Sequence, residues 1–311
     1  MFISSDMGHS AVKLFDGNRI ISFPAVVGDT QGDLMGRNNR MKIETNEGAW
    51  FVGETALKQS STRIMGRSET WALSPEYRAL LLYGLSEYTS SETGSVVVDL
   101  VTGLPIVDYK RNRASFIASL EQTHEIKRPG RRALSMTIRY VRPLPQGFAA
   151  ARPYLATDRT VATLDLGSRN VNYATFAGAE LIENKTDSAE FGATVVVNDI
   201  AKKIEENTRR ELNTLDVIKV IKTGKVRAFN KTYDVSELIN ERTGYYARAI
   251  DALMARVWGN LAEIDTFAIF GGGALLIGEH IKEQFPDQAV IVNDPIFATV
   301  RAQYDFGKRS L

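Results

Sequence analysis

The chain has 311 residues, 44% of them apolar and 24% charged, the balance of a globular protein long enough for two domains or one large one. A formal net charge of +1 excludes a global field that gathers nucleic acid or anionic membrane, and the lack of cysteine excludes disulfides, thiolate catalysis and cysteine metal sites. Met1-Phe2-Ile3 carries no secretory leader pattern and no run reaches the roughly 18 apolar residues of a membrane helix, so the expectation is a cytoplasmic protein without a membrane partner.

Residues 1–23 predict three short strands, the third ending at Phe23-Pro24. Gly28-Asp29-Thr30-Gln31-Gly32-Asp33 and Arg37-Asn38-Asn39-Arg40 predict loops between short strands, and Trp50-Phe51-Val52-Gly53-Glu54 a strand and turn. Ser74-Pro75-Glu76 is a helix start, and Tyr77, Leu81, Leu85 and Tyr88 carry its apolar stripe. Val96 to Val101, between Gly94 and Gly103, reads as a buried central strand. A helix over about 111–120 follows, then Lys127 to Arg132 as a solvated hairpin tip. Next comes a strand on which Leu134, Met136, Ile138 and Tyr140 alternate, ended by Pro143-Leu144-Pro145-Gln146-Gly147. Phe148 to Leu155 predicts a short helix, 161–183 a second hairpin unit, and Ala193 to Leu212 a helix striped by Val196, Ile200 and Ile204. Val217 to Ile221 and Lys225 to Phe229 flank Lys222-Thr223-Gly224 as a hairpin. A helix over about 235–259, a strand at Thr266 to Phe270 and a last helix from about Ile296 complete the chain. Strands followed by helices, twice over, describe an α/β protein with a duplicated core.

The duplication is visible in two stretches. Ser5-Asp6-Met7-Gly8-His9-Ser10-Ala11-Val12-Lys13 and Leu164-Asp165-Leu166-Gly167-Ser168-Arg169-Asn170-Val171-Asn172 both run strand, Asp-x-Gly turn, strand. Each then meets a further turn, Asp16-Gly17-Asn18 or Ala177-Gly178-Ala179. One Asp-x-Gly is an ordinary β-turn; two in register suggest half-domains facing one polyphosphate. Glycine lets backbone amides approach a phosphate, so Gly8 and Gly167 suit that role, with the amides and hydroxyls of Ser10 and Ser168 beside them. Asp6 and Asp165 would be repelled by phosphate and suit Mg²⁺ held through water. Lys13 could reach the β- and γ-phosphates. Gly271-Gly272-Gly273, after a buried strand and before a helix, suggests close backbone approach to a flat or charged ligand, with helix amides beside it. No Walker A or dinucleotide fingerprint is present. His9, His124 and His280 lack ligand spacing; His9 either touches a nucleotide or faces solvent from its turn.

This order of motifs resembles the superfamily of actin, Hsp70-type chaperones and sugar kinases. Asp6 to Lys13 resembles its first phosphate loop, Asp165 to Asn172 its second, and Gly271-Gly272-Gly273 its adenosine motif. Val98 to Pro105 fits the strand before the first connection, and Asp294-Pro295-Ile296-Phe297-Ala298 the opening of the closing helix. Phe51-Val52-Gly53-Glu54-Thr55-Ala56, Thr102-Gly103-Leu104-Pro105 and the compact length bring the chain nearest the prokaryotic actin-like group of ParM proteins and archaeal actins.

The resemblance implies an α/β, duplicated, ribonuclease H-like actin fold with two domains around a nucleotide cleft. The first domain would span 1–155 with an insertion at about 25–75. The second would span 156–311 with an insertion at about 193–262, the last helix returning to the first. It implies nucleotide contacts from Asp6, Gly8, His9, Ser10, Lys13, Gly167, Ser168, Arg169, Asn170, Gly271, Gly272 and Gly273, and Mg²⁺ held through water by Asp6 and Asp165. Asp165 would also be catalytic, and Gln146 would orient the attacking water, where the residues alone equally allow a helix-capping amide. Two departures stand out: Asn170 and Asn172 replace the usual Thr and Asp of the second loop, and Thr299 and Ala302 replace an Asn and Gly of the last helix.

The implied function is a filament-forming ATPase using ATP, with GTP as the alternative, and Mg²⁺. Its partners would be its own copies, head to tail, and a DNA-bound adaptor, with no direct nucleic-acid contact. The alternatives are a soluble kinase, with Asp99 or Glu190 as base, and a scaffold that binds nucleotide without turnover. A kinase of this fold is expected to be longer; an Hsp70 would continue past Leu311 into a peptide-binding domain.

Overall fold

The computed structural model describes residues 1–30, 41–66, 70–178, 180–212 and 214–309. The expectations at Gln31-Gly32-Asp33, Arg37-Asn38-Asn39-Arg40 and Ala179 lie outside the described residues. The chain divides into two compact units, Met1–Ala149 with Thr299–Leu311, and Ala150–Ala298.

In chain order the first unit runs β1 (Phe2–Met7), β2 (Ala11–Phe15), β3 (Ile20–Pro24), β4 (Val27–Gly28), β5 (Lys42–Thr45), β6 (Gly48–Val52), α1 (Gly53–Gln59), β7 (Arg63–Ile64), α2 (Pro75–Ser86) and β8 (Ser95–Leu104). It continues through α3 (Ile106–Arg111), α4 (Arg113–Leu120), β9 (Thr123–Ile126) and β10 (Leu134–Pro145), and α5 (Phe148–Ala151) spans the boundary. The second unit runs β11 (Thr160–Leu166), β12 (Val171–Ala177), β13 (Glu180–Leu181), β14 (Asp187–Ala189), α6 (Ala193–Thr208), α7 (Thr214–Thr223), β15 (Lys225–Ala228), β16 (Lys231–Asp234), α8 (Ser236–Trp258), β17 (Thr266–Phe270), α9 (Ala274–Gln284) and β18 (Ala289–Ile291). Helix α10 (Ala298–Lys308) follows.

Unit 1 has a six-stranded sheet in the order β3-β2-β1-β8-β10-β9, with β1, β8 and β10 mutually parallel. Unit 2 has β13-β12-β11-β17-β18, with β11, β17 and β18 parallel and β14 pairing β12. In both, an antiparallel hairpin leads into the first parallel crossover, so the two sheets repeat one plan. The fold is therefore the mixed α/β, duplicated architecture that the motifs imply. Each sheet supports its own core. In unit 1, Ile3, Leu14, Val98, Leu100, Met136 and Ile138 pack under Leu81 and Leu85 of α2. In unit 2, Leu164, Phe267 and Ile269 pack under Ile200, Ile204, Ile250 and Met254.

Helix α2 begins as its sequence dictates: Ser74 Oγ accepts from Tyr77 N (3.1 Å), and Pro75 occupies the first turn. The arginines at 128 and 131 close its other end. Arg128 pairs with Glu87, donates to Ser86 Oγ (2.9 Å) and stacks over the Tyr83 ring. Arg131 donates to the carbonyls of Ser86 (3.2 Å) and Thr89 (3.1 Å). The solvated hairpin tip expected at 127–132 is thus corrected: its cations anchor the loop to the negative end of α2.

Four other expectations change. Asn112 breaks the helix expected over 111–120 into α3 and α4. Strand β10 runs on to Pro145, and a bulge between Ile138 and Tyr140 turns Tyr140 outward and Val141 inward. Gln146 N donates to Leu104 O (2.9 Å), and by that phase Pro143 and Pro145 direct their missing N–H away from β8. Helix α6 stops at Thr208, before left-handed Arg209. Val217 to Ile221 form helix α7, not a strand, because Val217 and Val220 share a buried face. Gly224, at φ +67°, ends α7, and the hairpin turns instead at Phe229-Asn230, both with positive φ.

Candidate functional site

In a sheet with parallel strands and helical crossovers, ligands meet the carboxyl ends of the strands, where loops can carry polar groups without breaking the core. The motif residues gather at those ends within each unit. In unit 1, Gly8, His9 and Ser10 follow β1, Pro105 follows β8 and Gln146 follows β10. In unit 2, Gly167, Ser168, Arg169 and Asn170 follow β11, and Gly271, Gly272 and Gly273 follow β17.

The two turns share their local chemistry. A Cβ on Gly8 would sit 3.1 Å from Ala11 O, and one on Gly167 would sit 2.7 Å from Asn170 O. Glycine is required because the turn folds its own carbonyl over that α-carbon. The carbonyl of Ser10 accepts from Ala25 N (3.1 Å), and that of Ser168 from Thr194 N (2.8 Å). In unit 2, Ala193 N also donates to Gly167 O (3.0 Å), so the first turn of α6 is tied to this loop. Gly192 makes the approach possible: a Cβ there would lie 2.2 Å from Ser168 O and Arg169 C.

The carboxylates differ. Asp6 pairs across the strands with Lys13, whose Nζ donates to Asp6 Oδ2 (3.0 Å). Asp165 pairs in register with neutral Asn172. Asn170 Nδ2 donates to Asn172 Oδ1 (3.1 Å) and Ser188 Oγ (2.7 Å), fixing the loop through amides where the related pattern carries Thr and Asp. Arg169 lies 3.8 Å from Glu190 at the surface, and His9 is exposed at the bend.

The glycine triplet is divided in its work. Gly271 adopts φ +85°, and a Cβ there would lie 2.6 Å from both Asp165 Oδ1 and Leu166 O. Gly273 donates to Leu166 O (2.7 Å), and a Cβ there would lie 3.0 Å from the same oxygen. Only Gly272 of the three has open space around its α-carbon. At Gly271 and Gly273 the lack of a side chain also admits the chain's own Asp165-Leu166. The expected helix amides are also engaged: Ala274 N and Leu275 N donate to the carbonyls of Gly271 (3.2 Å) and Gly272 (3.3 Å).

Three contributors escaped the sequence reading. Gln303 on α10 is 2% exposed, and its amide, oriented with nitrogen toward Ser5 O (2.7 Å) and oxygen toward Gly103 N (3.0 Å), joins β1 to β8. Tyr77 and Tyr246 place buried hydroxyls in units 1 and 2, that of Tyr77 beside Thr102 and that of Tyr246 without a hydrogen-bond partner. A lone polar residue on an amphipathic helix gives no sign of facing inward, and Tyr77 reads as an ordinary stripe residue.

Among the described residues, no cluster of three or more His, Asp or Glu side chains could hold a metal by itself. Mg²⁺ needs no such cluster, since one carboxylate, water and nucleotide phosphates complete its shell. Asp165 suits that requirement: it stands in register with the neutral Asn172, and its Oδ1 lies against the Gly271 turn at the carboxyl end of β11. Asp6 already binds an ammonium. Of the bases considered for a kinase, Asp99 is held by Arg139 through two bonds (2.9 and 2.6 Å), and Glu190 is 88% exposed at its side chain.

Comparison with known proteins now decides the family. The model for the N-terminal domain of actin-like proteins matches residues 4–148, and that for the C-terminal domain of the archaeal MreB-like actin homologue matches 163–283. The chain belongs to the actin-like proteins. No curated protein sequence matches it. Among solved structures, this actin-like chain is similar to Ta0583, an archaeal actin homologue (19% identity, 100% of this chain and 99% of that one, TM-score 0.86). It is similar to the same protein in complex with ADP (17% identity, 99% of both chains, TM-score 0.84). It is also similar to the ParM of a 15-stranded filament from Clostridium botulinum (20% identity, 99% of both chains, TM-score 0.75). Among the described residues no helix is long and apolar enough to cross a membrane.

Proposed function

We propose that this actin-like chain is an ATPase that assembles with its own copies, head to tail, into nucleotide-dependent filaments serving DNA segregation or a related cytoskeletal task in the cytoplasm. The observation that carries the reading is the repeated turn. Both units present a glycine bend and a motif carboxylate at the carboxyl end of their first parallel strand, in the same register. The solved relatives support it: one is an archaeal actin homologue bound to ADP and another a ParM filament. Heterologous contacts of one chain with its copies give open filaments when the rotation does not close. A DNA-bound adaptor would connect such a filament to its cargo.

In this reading the turns of Gly8-His9-Ser10 and Gly167-Ser168-Arg169-Asn170 bind the phosphates, and Lys13 adds positive charge while keeping Asp6 paired. Asp165 would hold Mg²⁺ through water. Gly272 offers open backbone to the nucleoside. Gln146, fixed by its backbone bond to Leu104 O, orients the water that attacks the γ-phosphate. Magnesium, bound with the nucleotide, supplies neutralisation of the developing phosphate charge.

The amide pair Asn170–Asn172 favours one second reading, a scaffold that binds nucleotide and turns it over slowly. Light scattering and pelleting with ATP, ADP and no nucleotide, alongside phosphate release, separate the two. Polymer with ATP and concurrent phosphate release supports the proposal; polymer without release supports the scaffold. Tight ATP binding with no polymer across protein concentrations and salts removes the filament reading. Gln146→Ala is expected to slow phosphate release about 10²-fold with nucleotide affinity nearly intact, the pattern of lost positioning.

A further inference from the structure

Two tyrosine hydroxyls are deeply buried: Tyr246 Oη in unit 2 has no hydrogen-bond partner, and Tyr77 Oη in unit 1 stands beside Thr102 without a well-formed bond. Tyr77 is 3% exposed and Tyr246 1%. Leaving such a hydroxyl unpaired costs about 1–3 kcal/mol, so each needs a reason.

Their positions correspond in the repeated fold. Tyr77 lies on α2, the helix that precedes β8, and β8 is the parallel neighbour of β1. Tyr246 lies on α8, which precedes β17, the parallel neighbour of β11. Packing fixes both rings: Trp71 and Phe116 meet Tyr77 edge-on, and Phe191 lies tilted against Tyr246. Burial raises both phenols; the charge of Asp165 adds to this at Tyr246, while at Tyr77 Thr102 opposes it and Asp6 adds to it. In unit 2 the glycine turn locates the pair. A Cβ on Gly273 would lie 3.3 Å from Tyr246 Oη, and one on Gly271 would lie 2.6 Å from Asp165 Oδ1. Hydroxyl and carboxylate thus lie against the two ends of one glycine triplet, with no direct bond to the hydroxyl.

We infer that Tyr246 is a positioning residue for Asp165, donating through one water to its carboxylate and fixing the orientation in which Asp165 holds a metal-bound water. This rests on the proposed nucleotide reading. Tyr77 is the counterpart in unit 1, where Thr102 lies beside the phenol and Lys13 binds Asp6, so its hydroxyl matters less.

The test measures ATP affinity of the full chain across a Mg²⁺ titration, with melting temperature of the nucleotide-free protein as a second readout. Wild type comes first: if its ATP affinity shows no Mg²⁺ dependence, the metal-nucleotide reading itself fails. Given that dependence, Tyr246→Phe is expected to raise the half-saturating Mg²⁺ about fivefold or more, with Mg²⁺-free ATP affinity unchanged. Its melting temperature should stay near wild type, since the ring and its packing against Phe191 are kept. Tyr77→Phe should shift the Mg²⁺ midpoint less than Tyr246→Phe. An unshifted midpoint for Tyr246→Phe overturns the inference, as does joint loss of melting temperature and both affinities. In an Asp165→Asn background, Tyr246→Phe should add no further shift; an additive shift overturns the inference even if the single variant is unstable.

Discussion

Lys13 Nζ donates to Asp6 Oδ2 across 3.0 Å on facing strands, whereas Asp165, at the same place in the second hairpin, faces the neutral amide of Asn172. The first carboxylate is in register with a lysine that binds it, the second with a neutral asparagine. Asp165→Ala is therefore expected to abolish Mg²⁺-dependent phosphate release, and Lys13→Ala to weaken ATP binding roughly tenfold or more through loss of a charge-assisted contact. Phosphate release and ATP titration, run on both variants, check this; wild-type release from Asp165→Ala would refute the metal assignment.

Gly271 and Gly272 are neighbours with opposite tolerance. Gly271→Ala combines a strained φ with a collision on Asp165 Oδ1 and Leu166 O, and is expected to destabilise unit 2 by about 3 kcal/mol. Gly272→Ala meets open space, so its urea midpoint should stay near wild type while nucleotide affinity falls. Urea unfolding and nucleotide titration on the pair distinguish a structural glycine from a ligand-facing one.

Much of this was legible in the chain. The Asp-x-Gly turns, the buried strand before Gly271 and the helix started by Ser74-Pro75 are local patterns that the fold leaves intact. Helix α7 was not legible, because Val217 to Ile221 is rich in β-branched residues and only its packing on the unit 2 core selects the helix. The charge contrast between the turns could be read from Lys13 and Asn172. The internal role of Gly271 and Gly273 could not, since it depends on β17 lying beside β11.

Gln303 replaces a rung of the parallel ladder where β1 and β8 diverge, bonding Ser5 O and Gly103 N. Gln303→Leu keeps the volume and strands both backbone groups, with an expected loss of about 3 kcal/mol. Gln303→Glu should retain the contact to Gly103 N and lose that to Ser5 O at neutral pH. Thermal unfolding of the two variants checks the sign and order.

His124 supplies a pH dependence. Burial holds its pKa below the ordinary histidine value, and Arg78 adds to this, while the bond to Leu120 O and the charge of Glu47 oppose it. In this window the unfolded chain binds the proton more readily than the folded one. Stability is therefore full above about pH 6.5 and falls as pH drops below it toward the depressed folded value. Arg78 holds Glu47 below its ordinary carboxylate value, so loss from Glu47 falls at lower pH. Between pH 7 and 5.5, His124→Gln should flatten the fall in urea midpoint; an unchanged slope would show that another group carries it.

Helix α10 follows all of unit 2 in the chain yet supplies Val300, Gln303 and Tyr304 to unit 1. Val300 O accepts from Ser4, and Tyr304 fills the space beside Gly17, Phe2 and Phe15. During synthesis, unit 1 emerges first but cannot close its sheet face until unit 2 has been made. The order of translation is thus the reverse of the order of completion: the second unit can finish while the first still waits for its last helix.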